Sequence, residues 1–161
     1  PFKSVSRSTT LLELIHTDVC DNKDHLTRGG KRYFITFSDD YSKYTYMYLL
    51  RTKDEAFEKF KIFKEEVENM LGKRIKSDGG GEYRLDEYKK NCEINGIVRE
   101  ESAPNSPPQN GVAERKNRTL KEMMNAMLIS SGLPQNLWRE AIISANYILN
   151  KLPRKKTKKT P

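Results

Sequence analysis

Three carboxylates in this 161-residue chain, Asp18, Asp78 and Glu114, stand at places where structural elements are predicted to end or begin. Asp18 falls near the end of a first apolar stretch, Asp78 leads into Gly79-Gly80-Gly81, and Glu114 lies in the first turn of a long helical pattern. Strand ends along one edge of a sheet and the start of a helix packed on it can converge. Three converging carboxylates make a hard, oxygen-rich site suited to Mg²⁺ or Mn²⁺. Two such ions ~3.5–4 Å apart can activate an attacking oxygen and stabilise the leaving oxygen of an in-line displacement at phosphorus. That chemistry needs no nucleophilic side chain, which suits a sequence without a persuasive Ser/His or Cys/His arrangement. Each carboxylate also has a plainer use: Asp18 and Asp78 can cap or open turns, and Glu114 can complement a helix N-terminus.

Beside Glu114 the sequence turns basic. Residues 115–161 hold eleven Lys and Arg against Glu122 and Glu140, so of the net charge of +8 the first 114 residues carry −1. A near-neutral body with a basic C-terminal third points to a polyanionic partner on one face, nucleic acid being the commonest. The alternative is a solubilising face with a disordered basic tail. Glu114, Asn117, Arg118 and Lys121 are spaced i, i+3, i+4 and i+7, which puts a carboxylate and then two cations on one helical face. Arg118 and Lys121 there can neutralise phosphates, or serve as ordinary solvated cations with Arg118 screening Glu114.

The elements that must position these groups follow from patterning. Residues 1–10 read as an entering linker. Leu11 to Val19 suits a buried strand, and Tyr33 to Ser38 and Tyr44 to Leu50, rich in aromatic and β-branched residues, predict two antiparallel strands joined by a short loop. Thr52 and Glu55 predict a capping box for a helix whose apolar positions Ala56, Phe57, Phe60, Phe63, Val67, Met70 and Leu71 recur until Gly72. A strand at 74–77, a helix near 85–95, a strand around 97–100 and a Pro/Asn/Ser-rich loop at 102–111 come next. A long helix from Val112 to Gly132 buries Leu120, Met124, Met127 and Leu128, and another spans Asn136 to Asn150. The order βββαβαβαα implies an α/β fold with a mixed five-stranded sheet flanked by helices, one core over 11–152, and a basic, disordered tail at 153–161.

Other candidates read more plainly. Asp39 and Asp40, between two strands, suit turn amides better than a metal. Trp138 suits the core better than a base-stacking platform, and His16 suits a satisfied core histidine better than a supporting contact for Asp18. Cys20 and Cys92 with only two histidines make neither a disulfide framework nor a spaced zinc site. No window approaches the ~18 apolar residues of a membrane span, and Pro1-Phe2-Lys3-Ser4 lacks a secretory signal, so a soluble intracellular protein is expected.

Taken together, the motifs carry a family resemblance. Leu-Ile-His-Thr-Asp-Val-Cys (14–20), Tyr-Phe-Ile-Thr-Phe-Ser-Asp-Asp-Tyr-Ser (33–42), Ser-Asp-Gly-Gly-Gly-Glu-Tyr (77–83) and Pro-Gln-Asn-Gly-Val-Ala-Glu-Arg-Lys-Asn-Arg-Thr-Leu (108–120) resemble the catalytic core of copia-type retrotransposon integrases, within the DDE transposase group. The likeness spans almost the whole chain, with separate matches around all three carboxylates. It implies an RNase H-like fold and a metal-dependent polynucleotidyl transferase. The acidic triad, on Asp18, Asp78 and Glu114, would hold Mg²⁺ or Mn²⁺ as a pair of ions. Such an enzyme trims the 3′ ends of element DNA and uses the terminal 3′-hydroxyl to attack target DNA. The resemblance implies double-stranded DNA as partner, contacts from Gln109, Asn110, Arg118 and Lys121, a homo-oligomer when active, no membrane, and work in the nucleus after a cytoplasmic particle stage.

The chain also departs from that pattern. A few residues fewer than usual separate Gly72 from Asp78. Asp21-Asn22 stands where Gly-Pro is usual, Gly79 replaces a common Asn, and Pro108 a typical Gln. Ser77, Lys76 and Ile75 keep the alternation that aims Asp78, whereas an odd register slip would turn it to the wrong face. The paired His/Cys zinc region that precedes such cores is not within the sequence, so a core fragment is expected. The alternative function is a catalytically silent, nucleic-acid-binding remnant.

Overall fold

A computed structural model describes residues 8–22, 25–72, 111–153 and 160–161. Strands β1 (Ile15–Asp21), β2 (Tyr33–Asp39) and β3 (Thr45–Leu50) form an antiparallel sheet in the order β1-β2-β3. The register sets Asp18 opposite Thr36 and Thr36 opposite Met47. Of the expected mixed five-stranded sheet, the described residues hold this three-stranded antiparallel part. The strands expected at 74–77 and 97–100 and the helix at 85–95 lie outside them.

Because side chains alternate along a strand, the sheet has two differently clothed faces. Ile15, Val19, Ile35, Phe37 and Leu50 point to one face and pack with Ala56, Phe60, Phe63 and Val67 of helix α1 (Ala56–Leu71). Those four helical residues recur at spacings of four, three and four, so one stripe meets the sheet. Phe63 stacks on Phe37 with centroids 4.5 Å apart and planes 7° from parallel. Burial of each such side chain contributes about 1.5–3 kcal/mol. Gly72, at φ 59°, ends the helix and donates its N–H to the Glu68 carbonyl at 2.8 Å, a conformation that glycine adopts without a Cβ penalty.

Phe34, Cys20, Met47 and Leu49 point to the opposite face. They meet Leu120, Met124 and Leu128 of α2 (Gly111–Ser131) and Trp138, Ile142 and Ala145 of α3 (Trp138–Lys151). Trp138 is fully buried and its indole N–H donates to the His25 carbonyl at 2.8 Å, in keeping with a core role.

Three local expectations need correction. β1 begins at Ile15 rather than Leu11, because the preceding residues are drawn into a turn. Glu13 accepts hydrogen bonds from the Ser8 hydroxyl, the Thr9 amide and the Thr10 hydroxyl, and Asp39 Oδ1 takes the Leu12 amide at 2.9 Å. Such side-chain bonds compete directly with a ladder. Leu12 sits at φ 61°, a strained setting that its complete burial helps to hold. The capping box does not form either: Thr52 makes no side-chain cap, residues Lys53–Glu55 make a 3₁₀ turn, and Glu55 accepts instead from the Arg51 amide and Lys31. Lastly, Met70 and Leu71, expected in the buried stripe, are 71% and 43% exposed at the end of α1.

Candidate active site

Asp18 lies on the face of β1 that α2 covers, half-buried, with His16 and Cys20 flanking it on the same face. Its Oδ2 accepts a hydrogen bond from Asn117 Nδ2 of α2 at 2.9 Å. The other end of that amide, Asn117 Oδ1, accepts from the Thr36 hydroxyl at 2.8 Å. Thr36 stands directly across the ladder from Asp18, so β1, β2 and α2 meet in one line of polar contacts. One helical turn further along α2, Lys121 Nζ donates to the Asp21 carbonyl at 2.9 Å. Helix and strand therefore run alongside each other in the same sense, Asn117 at the level of Asp18 and Lys121 at the level of Asp21.

Glu114 is exposed in the first turn of α2, three residues before Asn117. That is ~4.5 Å along the helix axis from the residue that bonds Asp18. Among the described residues no group of three or more His, Cys, Asp or Glu side chains stands ready to hold a metal ion. Asp78, Gln109 and Asn110 lie outside the described residues.

The basic face divides. Arg115 and Arg118 are exposed on α2. Lys121 is half-buried and turned onto β1, where it also faces the Cys20 thiol; burial pushes that thiol's pKa up and Lys121 partly offsets this. Lys116 is likewise half-buried, and burial lowers its pKa. Asp21, in the place of an expected Gly, is held by Arg32 through a forked pair of bonds at 2.9 and 3.0 Å.

His16 and the paired aspartates are structural. His16 is buried with Nε2 3.1 Å from Asp40 Oδ1, and Asp40 also takes the Lys43 ammonium and the Ser8 amide. Asp39 accepts from the amides of Leu12 and Ser42 and from the Ser42 hydroxyl. Asn117 and Thr36 are what the spacing failed to assign. Asn117 falls with Ala113, Leu120, Met124 and Leu128 in the buried stripe of α2 rather than on the exposed cation-bearing face. An amide in an apolar stripe was the available signal.

No family model matches the sequence. The chain is 41% identical over 153 residues to the retrovirus-related Pol polyprotein from transposon TNT 1-94 of Nicotiana tabacum, a match covering 93% of this chain and 12% of that protein. It is 36% identical to the retrovirus-related Pol polyprotein from transposon RE1 of Arabidopsis thaliana, covering 95% and 10%. The transposon Ty1-NL2 Gag-Pol polyprotein of Saccharomyces cerevisiae is 32% identical, covering 92% and 9%. The chain thus spans about a tenth of the length of the curated relatives it matches. Among solved structures, a simian T-cell lymphotropic virus intasome in complex with the PP2A regulatory subunit B56 gamma gives a TM-score of 0.75 at 20% identity, over 99% of this chain and 56% of that one. The HTLV-2 integrase catalytic core domain in complex with magnesium gives 0.67 in its trimeric form and 0.63 in its dimeric form, each at 22% identity and over 96% of both chains. At such identity these neighbours establish the fold, that of the RNase H-like integrase core.

Proposed function

The chain is a homologue of a segment of the retrotransposon Pol polyproteins and has the fold of a retroviral integrase catalytic core, and on that premise we propose that it integrates retroelement DNA. The reaction is transesterification: the 3′-oxygen of an element end attacks a target phosphorus, one P–O bond forms, and the bond to the target's own 3′-oxygen breaks, that oxygen taking up a proton. In the preceding 3′-end trimming, water takes the place of the attacking hydroxyl.

The observation that carries this reading is the 2.9 Å bond from Asn117 to Asp18, which joins β1 to α2, the helix that carries Glu114 three residues earlier. Asp18, Asp78 and Glu114 are the carboxylates that would hold Mg²⁺. The donor set fits: Asp18 and Glu114 offer hard carboxylate oxygens, one half-buried and one exposed. The HTLV-2 neighbour's complex with magnesium supports the choice of ion. When bound, a pair of ions would supply charge stabilisation to the attacking and leaving oxygens. Arg118 would neutralise DNA phosphates beside the site, with Gln109 and Asn110 as further contacts, whereas Lys121, expected to join them, is engaged by the Asp21 carbonyl. The dimeric and trimeric forms of the HTLV-2 core support a homo-oligomer; its partner would be double-stranded DNA, and the chemistry would take place in the nucleus.

A strand-transfer assay with the purified chain, Mn²⁺ and element-end duplex oligonucleotides tests the reading. Wild type is expected to join ends to target, and Asp78→Asn to give only background. Equal product from both would sink the enzyme assignment. Salt-sensitive duplex binding with no product from either would favour the silent DNA-binding alternative.

A further inference from the structure

We infer that Thr36 and Asn117 form a positioning relay that fixes the Asp18 carboxylate and the register of α2 on β1. This rests on the function proposed above and adds to it two residues that would touch neither metal nor DNA.

Thr36 is fully buried and Asn117 is 2% exposed. A buried amide costs free energy unless its polar ends are satisfied, and here both ends have partners. An ionised carboxylate only accepts hydrogen bonds, so Asp18 requires the NH₂ end of Asn117. The carbonyl end must then face Thr36, whose hydroxyl can donate. Donation therefore runs one way, from Thr36 to Asn117 to Asp18, at 2.8 and 2.9 Å. Remove the hydroxyl, and the donor that holds the carbonyl end of the amide is lost, so the amide is freer to turn away from the carboxylate.

The relay has a second consequence. Its members come from β2, α2 and β1, and Glu114 rides on the same helix as Asn117. Holding Asn117 between Thr36 and Asp18 also sets how far Glu114 stands along β1. One pair of bonds thereby acts on two of the three proposed metal-binding carboxylates, while an apolar residue at either position would pack without orienting anything.

The test uses the whole chain and the isosteric variant Thr36→Val, with Thr36→Ser as the conservative control. Mn²⁺ affinity is measured by calorimetry, and hydrogen exchange of the Asn117 side-chain NH₂ by NMR in metal-free protein. Thr36→Val is expected to weaken Mn²⁺ binding roughly tenfold, the scale of losses when a partner behind a metal ligand is removed. It should also speed Asn117 exchange and leave metal-free duplex DNA binding unchanged; Thr36→Ser should restore both affected properties. Asn117→Leu, which suits the apolar stripe, removes the same donor from the other side and should lose as much Mn²⁺ affinity. Wild-type Mn²⁺ affinity in either folded variant would overturn the relay. A wild-type chain that binds no Mn²⁺ would instead overturn the integrase reading, and an unchanged Asn117 exchange rate in Thr36→Val would still count against the relay.

Discussion

Thr36 and Phe37 are neighbours on β2, yet they face opposite sides of the sheet and do opposite things. Phe37 stacks on Phe63 within an aromatic cluster that includes Phe60, Tyr46 and Tyr48. Thr36 enters a line of hydrogen bonds through Asn117 to Asp18. The α1 face is held mainly by apolar area, which is non-directional. On the other face polar contacts are set into the apolar packing of α2 and α3. Lys121 holds the Asp21 carbonyl, and Asn150 takes both the amide and the carbonyl of Thr45 at 3.0 and 2.8 Å. Directional bonds fix register where area alone would allow sliding, and the site lies on the face that has them.

The comparison breaks most visibly if the apolar face is opened. Phe63→Ala removes a fully buried ring that touches Phe37 and Tyr46, and should cost about 3–5 kcal/mol in denaturant unfolding. Folded protein that survives should bind Mn²⁺ as the wild type does, since no residue of the relay is touched. A small stability loss coupled to weakened metal binding would mean that the two faces are not separable.

Asn117→Leu should show the reverse. It forfeits a hydrogen bond to a charged group, worth about 1.5–3 kcal/mol, together with the bond from the Thr36 hydroxyl, worth about 1 kcal/mol, and gains apolar burial of about 1.5–3 kcal/mol. Stability should end about 1 kcal/mol below wild type on that balance, while Mn²⁺ affinity falls. Unfolding by urea with calorimetry on the same preparation checks both halves. A severe loss of stability would make Asn117 a structural residue first.

Much of the apolar face was legible in the sequence, because a stripe such as Ala56, Phe60, Phe63 and Val67 and the strand pattern of Tyr33 to Leu50 are local signals. The polar face was less so. Asp18, Glu114 and Arg118 could be picked out by type and place, but the partner that orients Asp18 is 99 residues away and its own partner Thr36 is 81 residues from it. No periodicity reports such pairings. Lys121 shows the same limit: helical spacing placed it near Arg118, yet the Asp21 carbonyl that draws it inward belongs to another element. The early start given to the first strand failed for a related reason, since Asp39, 27 residues on, claims the Leu12 amide.

The smallest expected effect sharpens the contrast at the rim of the polar face, where Asp40 joins the end of β2 to His16. Partial burial pushes the Asp40 carboxyl up, but Lys43, the Ser8 amide and His16 outweigh it and bring its pKa down to about 2, from an ordinary 3.8. The folded state therefore binds this proton less readily than the unfolded chain. By linkage, the contribution to stability is complete above about pH 4 and is lost as pH falls toward 2. Asp40 is buried but Lys43 is partly open to solvent, so screening of the lysine tempers the effect. Thermal midpoints measured from pH 6 down to pH 2.5 should fall more steeply for wild type than for Asp40→Asn, the two curves converging at the acid end. Parallel curves would show that Asp40 contributes no more than a solvated carboxylate, and that the ordered polar contacts of this face end at Asp18 rather than extending to the rim.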